Sequence, residues 1–98
     1  MKINKSVDEG QLNIALEGRL DTTTAPELEK EFQASLPGIK SVVLDFANLE
    51  YISSAGLRVL LAAQKTMNKQ GSMKIVNVGE TVMEVFEVTG FTDILTIE

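Results

Sequence analysis

Between Val42 and Val78 the hydrophobic period changes twice, and no other stretch limits the possible folds as much. Val42-Val43-Leu44-Asp45-Phe46 is an apolar run of strand length without alternation, as expected of a central strand covered on both faces. Leu57, Leu60, Leu61, Ala63 and Met67 then recur at helical spacing in a segment that runs to about Gln70, with Gly71 as its stop. Lys74-Ile75-Val76-Asn77-Val78 reads as the next strand, broken by Gly79. A strand, helix, strand unit of this length predicts two parallel strands joined by a right-handed crossover.

The flanking segments extend that unit. Ile3 and Val7 flank Lys5, and Leu12, Ile14 and Leu16 alternate with Asn13, Ala15 and Glu17, so both segments have the period of half-buried strands. Asp8-Glu9-Gly10-Gln11 between them reads as a hairpin turn. The second strand is expected to end at Gly18, leaving Arg19-Leu20-Asp21-Thr22-Thr23 as loop. Thr24-Ala25-Pro26-Glu27 fits a capping box that opens a helix, with Ala25, Leu28, Phe32 and Leu36 on one face and Pro37-Gly38 as its end. Glu80 to Thr89 places Val82, Val85, Phe86 and Thr89 on a helical face ahead of Gly90, although its valines disfavour helix. Ile94 to Ile97 is either a short edge strand or a tail. The reading is a single α/β domain over residues 1–98, an open mixed sheet of four to five strands with helices packed mainly on one face.

Composition removes most catalytic chemistry. There is no Cys and no His, so thiolate nucleophiles, disulfides, the commonest metal ligand and the commonest general base are all missing. No Ser-His-Asp arrangement is possible, no glycine-rich phosphate loop is present, and no metal or cofactor is expected. Lys65 and Lys69 lie two or more helical turns beyond Ser54, too far to activate it. A net charge of −5 with few aromatic residues argues against a nucleic-acid surface. The longest unbroken apolar run, Val59 to Ala63, is too short to span a membrane, and the N-terminus lacks a signal-peptide pattern, so a soluble cytoplasmic protein that is not an enzyme is expected.

What remains is Leu49-Glu50-Tyr51-Ile52-Ser53-Ser54-Ala55-Gly56-Leu57, which sets two hydroxyls between a strand and a helix. With Ser54 as the N-cap, its oxygen would accept from a free N–H of the first turn, and the helix dipole would favour negative charge there. Serine is a common cap whatever a protein does, so position alone leaves a structural and a modified serine both open. Asp45 and Asp21 are the nearest loop-side carboxylates by this reading.

Asp45-Phe46, Leu49, Ile52-Ser53-Ser54-Ala55-Gly56-Leu57 and Val59-Leu60-Leu61 together resemble the signature of STAS domains, the family that joins sulfate transporters and anti-sigma factor antagonists. Gly18-Arg19-Leu20-Asp21 resembles the turn after that family's second strand, and Phe86-Glu87-Val88-Thr89-Gly90-Phe91-Thr92-Asp93 its C-terminal helix and Thr-Gly stop, so the likeness covers nearly the whole chain. It implies a small antagonist whose helix-opening serine is phosphorylated by an anti-sigma factor that is itself a kinase. Ser54 takes that place. Many phosphorylated members carry Asp just before the acceptor; this chain has Ser53, which is the alternative acceptor.

From Tyr51 through Gly79 there is no Asp or Glu, only Arg58, Lys65, Lys69 and Lys74. This is either an ordinary solvated face or a docking surface for an acidic or nucleotide-loaded partner, with Val59 and Ala62 as a small apolar centre. The expected partner-binding residues are Ser53, Ser54, Gly56, Arg58, Val59, Ala62 and Asp21. The expected role is a phospho-switchable module that sequesters an anti-sigma factor and so frees a sigma factor. The alternative is a stand-alone subunit of a lipid or anion transport complex, acting without phosphorylation.

Overall fold

A computed structural model describes residues 1–98. The strands are β1 (Lys2–Asp8), β2 (Gln11–Leu20), β3 (Ser41–Ile52) and β4 (Ser72–Val76), and the helices are α1 (Ala25–Ser35), α2 (Ser54–Gln70) and α3 (Glu80–Thr89), followed by a 3₁₀ turn at Phe91–Asp93. The sheet order is β1-β2-β3-β4, with β1 antiparallel to β2 and the β2–β3 and β3–β4 pairs parallel. Two parallel pairs joined through α1 and α2 require crossovers, and right-handed ones place both helices on one side of the sheet.

One side of the sheet is dry and the other is open. Leu12, Ile14 and Leu16 of β2, Val42, Leu44 and Phe46 of β3, and Met73 and Ile75 of β4 are buried, while Asn13, Ala15, Val43, Asp45, Lys74 and Val76 between them are only half-buried. The apolar run in β3 therefore alternates after all, which corrects the expectation of a strand covered on both faces. Val43 is apolar but lies on the open side, where isolated apolar residues are ordinary. The helices supply the other half of the core through Leu28 and Phe32 of α1, Leu57, Leu60, Ala63 and Met67 of α2, and Val82 and Phe86 of α3. Phe86 meets Phe46 with ring centroids 6.4 Å apart. Each such side chain, fully buried, contributes about 1.5–3 kcal/mol, which is why the amphipathic faces dominate over the poor helix propensity of the α3 valines.

Several boundaries differ from the sequence reading. β2 does not stop at Gly18 but continues to Leu20 through a register shift, with Gly18 at φ +100. β3 runs on to Ile52, so Leu49–Ile52 is strand and not loop. β4 starts at Ser72 and ends at Val76, because Asn77 takes a left-handed conformation at φ +58; Gly79 is instead the residue that precedes α3. The hairpin turn has positive φ at both Glu9 and Gly10, the primed geometry that suits two-residue connections. At the C-terminus a single bridge pairs Ile97 with Ile75, adding cover to the edge of β4 without forming a fifth strand. Gly71 ends α2 with an extended backbone at φ 177, and its role is steric: a β-carbon there would collide with the Lys40 carbonyl oxygen. Beside it the Gln70 amide donates to the carbonyls of Leu36 and Ile39 at 2.7 and 2.8 Å, tying the end of α2 to the α1–β3 loop.

Candidate partner-binding and phosphorylation site

The carboxyl ends of the neighbouring parallel strands β2 and β3 lie side by side, with Leu20 opposite Ile52. The first residue past β3 keeps this pairing, because the Ser53 N–H donates to the Leu20 carbonyl at 2.9 Å. Ser53 is still extended, at φ −101 and ψ 174, and its side-chain oxygen accepts from the Gly56 N–H at 3.4 Å. Its carbonyl takes the Leu57 N–H at 3.0 Å, the first bond of the helix. Ser53 is therefore the N-cap. This corrects the assignment of the cap to Ser54, which is the first helical residue, with an exposed side chain. The physical reason is the length of β3: with Ile52 still in the ladder, the last extended position is Ser53.

The first turn of α2 sits tightly on the strand ends. A β-carbon at Gly56 would lie 2.7 Å from Leu20 Cγ and 2.9 Å from Ile52 Cγ1, so only glycine allows this approach without a shift. Gly56 is buried, and its bearing on a partner is through where it lets the helix start.

The β2–α1 turn forms the neighbouring wall. Asp21 Oδ1 accepts from the Thr23 hydroxyl at 2.8 Å and from the Thr23 and Thr24 N–H groups at 3.0 and 3.2 Å. These bonds, the Thr23 hydroxyl foremost, hold the Asp21 carboxyl below its ordinary pKa against an opposing desolvation effect. Thr24 Oγ1 accepts from the Asp21 N–H and donates to the Arg19 carbonyl, both at 2.8 Å, so its oxygen is turned back into the turn and does not cap α1. The expected capping box is absent, and the Asp21 carboxylate satisfies the Thr24 N–H in its place. Arg19 extends over Tyr51, its guanidinium carbon 4.3 Å from the ring centroid, with Nε 3.8 Å from Asp21. Neither Arg19 nor Tyr51 stands out in the sequence as a site residue. The signal is their register: the two are directly opposite on β2 and β3, which becomes readable only once both strands are known to continue past Gly18 and Phe46.

Along α2 the exposed residues Ser54, Arg58, Ala62, Lys65 and Lys69 follow at intervals of three or four, which makes one outward stripe. Val59 is not part of it. At 7 % exposure it lies in a groove of about 500 Å³ between α1 and α2, beside Phe32, Leu36 and Ala63, with Ala62 and Thr66 on the same lining. The expected apolar centre of Val59 and Ala62 is thus divided between a buried residue and an exposed one. Asp45 is also corrected: it is a strand residue on the open sheet side, where Oδ1 accepts from the Ala47 N–H at 2.9 Å and the Asn77 amide at 3.1 Å, and it takes no part in the serine site. The structure brings Ser53, Ser54, Asp21 and Arg58 to one end of the molecule and adds Arg19 and Tyr51. No three metal-ligating side chains converge anywhere.

The sequence matches the STAS domain over residues 2–98. The chain belongs to the STAS domain family. Among relatives of this STAS chain, BtrV of Bordetella bronchiseptica, provisionally named an anti-sigma factor antagonist, is 38 % identical over 99 residues, covering 99 % of this chain and 85 % of the relative. The anti-sigma-B factor antagonist of Bacillus subtilis is 29 % identical over 100 residues, covering 99 % and 92 %. The fold agrees with that of an anti-sigma factor antagonist from Mycobacterium paratuberculosis at a TM-score of 0.88 and 23 % identity, over 98 % of this chain and 83 % of the other. It also agrees with unphosphorylated SpoIIAA at a TM-score of 0.77 and 16 % identity, over 99 % and 87 %. The four-stranded mixed sheet with three helices is the STAS arrangement.

Proposed function

We propose that this STAS domain is an anti-sigma factor antagonist that binds an anti-sigma factor through the exposed stripe of α2 and the adjoining β2–α1 turn, and is released from it by phosphorylation of Ser54. The observation that carries this reading is the position of Ser54: exposed, outside the cap hydrogen bond, and at the head of a stripe whose next member is Arg58. The names of the relatives support the antagonist role over a transport subunit, and no helix is long and apolar enough to cross a membrane. The compartment proposed is the cytoplasm, where anti-sigma factors act. The domain is the substrate of a serine kinase and not itself an enzyme.

A phosphoserine carries about −1.5 to −2 charges and three acceptor oxygens. At the first position of α2 it stands at the favourable end of the helix dipole, and it precedes Arg58 by four residues, the spacing at which an anion and a cation pair on a helix. The fold accepts the group. Binding does not, because the phosphate draws Arg58 into an intramolecular pair and places charge where a partner must desolvate it. SpoIIAA, which shares the fold, is known in a phosphorylated form. Ser53 is the weaker acceptor because its oxygen is engaged by Gly56.

The test uses the anti-sigma factor kinase with ATP, peptide mass analysis and a binding assay. Phosphate is expected on Ser54, Ser54→Asp is expected to bind about a hundredfold more weakly at an unchanged melting temperature, and Ser54→Ala should bind yet resist release. Phosphate on Ser53, or a Ser54→Asp variant that binds like the parent, defeats the proposal.

A further inference from the structure

On the helical side of the domain α2 and α3 carry strips of opposite charge that find no partner within the molecule. Residues 51–79 contain no acid and residues 75–98 contain no base. The three ion pairs of the chain, Lys5–Glu31, Arg19–Asp21 and Lys74–Glu98, involve none of Arg58, Lys65 or Lys69 on α2 and none of Glu80, Glu84 or Glu87 on α3. All six are exposed. The C-terminal end of α3 carries the most exposed large apolar residue of the chain, Val88, which is 87 % accessible. Helix dipoles account for Lys69 in the last turn of α2 and Glu80 in the first turn of α3. They do not account for Lys65, Glu84 or Val88.

The spacings of the two strips match. Lys65 and Lys69 are four residues apart, about 6 Å along the helix, as are Glu80 and Glu84. With the helices antiparallel, Lys69 facing Glu80 brings Lys65 opposite Glu84. Val88, about 12 Å beyond Glu80, then falls within about 2 Å of the level of Ala62, which is about 10.5 Å from Lys69. That alignment also opposes the two helix dipoles.

We propose that the α3 strip Glu80-Glu84-Val88 of one molecule docks antiparallel on the α2 strip Lys69-Lys65-Ala62 of a second copy of this chain. Because the two surfaces differ, the contact is heterologous, and each added molecule leaves one strip free at either end of the assembly. Exposed ion pairs contribute little individually and are screened by salt, so the assembly forms at high protein concentration and low ionic strength and dissolves in concentrated salt. The inference stands whether or not the α2 stripe also receives an anti-sigma factor.

Sedimentation of the parent chain across a concentration series at low and high salt, alongside Glu84→Lys and Lys65→Glu, provides the test. The parent is expected to gain mass with concentration at low salt only. Each variant alone should stay monomeric under those conditions, because like charges then face each other. An equimolar mixture should associate again, since each interface in it is either the native pair or its charge-reversed form. A parent that remains monomeric at about millimolar concentration and low ionic strength overturns the proposal, as do variants that associate like the parent or a mixture that does not recover. Thermal melts of both variants, expected to match the parent, exclude unfolding as the cause of lost association.

Discussion

Gly56 and Leu20 meet so closely that the missing β-carbon of the glycine would stand 2.7 Å from Leu20 Cγ, with Ile52 2.9 Å away on the other side. The start of α2 is thereby seated on the ends of two strands. Gly56→Ala gains up to about 1 kcal/mol of helix propensity, but overpacking a closed site costs about 1–3 kcal/mol. A net loss of stability is expected, read as a melting temperature several degrees below that of the parent. The loss should shrink in a Leu20→Ala background, where the crowding leucine atoms are gone and only Ile52 still presses on the site. Equal effects of Gly56→Ala in both backgrounds would show that the contact is not the cause.

Two adjacent serines should respond unequally to removal of the hydroxyl. Ser53→Ala deletes the N-cap acceptor of the Gly56 N–H and is expected to cost about 1 kcal/mol, whereas Ser54→Ala should change stability by less than about 0.5 kcal/mol. Urea unfolding of the two variants decides this. A larger loss at Ser54 would reassign the cap.

Arg58 and Val59 are also neighbours with separate roles. Arg58→Ala should leave the unfolding midpoint in place and weaken anti-sigma factor binding by tenfold or more, about 1.4 kcal/mol. Val59→Ala removes two methyl groups from the α1–α2 groove and is expected to cost about 1–2 kcal/mol in stability, with any change in affinity following from that. Calorimetry of folding and of binding on both variants separates the effects.

Two carboxyls contribute to the acid limb of stability. Glu31 is held below its ordinary pKa first by the Ser35 hydroxyl and then by the Lys5 ammonium, and Asp21 chiefly by the Thr23 hydroxyl. A carboxyl whose pKa is lower in the folded state stabilises above its unfolded value, near 4, and that contribution is lost as pH falls through the folded pKa. Stability should therefore decline below about pH 4 and be nearly flat from there to neutrality as far as these groups are concerned. Glu31→Gln should make the decline shallower. The difference is small, because both groups keep partial contact with water, and a Glu31→Gln acid limb as steep as the parent's would place the titration elsewhere.

Most of the fold can be read from the order of hydrophobic periods, because burying one face of each element leaves few arrangements for a chain with this pattern. The α2 face, the α3 helix against its valines, and the Gly90 stop all follow from that logic. Errors fall where a pairing partner decides. Nothing local to Arg19 or Tyr51 says that each continues a strand, since their support is the other strand's ladder. The cap moved from Ser54 to Ser53 for the same reason. Thr24 followed by Glu27 has the form of a capping box, yet the Arg19 carbonyl and the Asp21 N–H compete successfully for the threonine oxygen. Val43 and Val59 show the converse limit: an apolar side chain reveals its period but not which of two surfaces is left uncovered.

The passage from β3 into α2 contains no slack. Ser53 is held from one side by the Leu20 carbonyl and from the other by the first turn of the helix, so the backbone at Ser54 cannot be drawn out into an extended strand while the domain stays folded. The proposed phosphorylation of Ser54 therefore does not suit an enzyme that threads a linear peptide through a cleft. Under the proposal a kinase of Ser54 docks on an intact solid surface and recognises a shape, and it should ignore a free peptide spanning Leu49 to Val59 while modifying the whole domain.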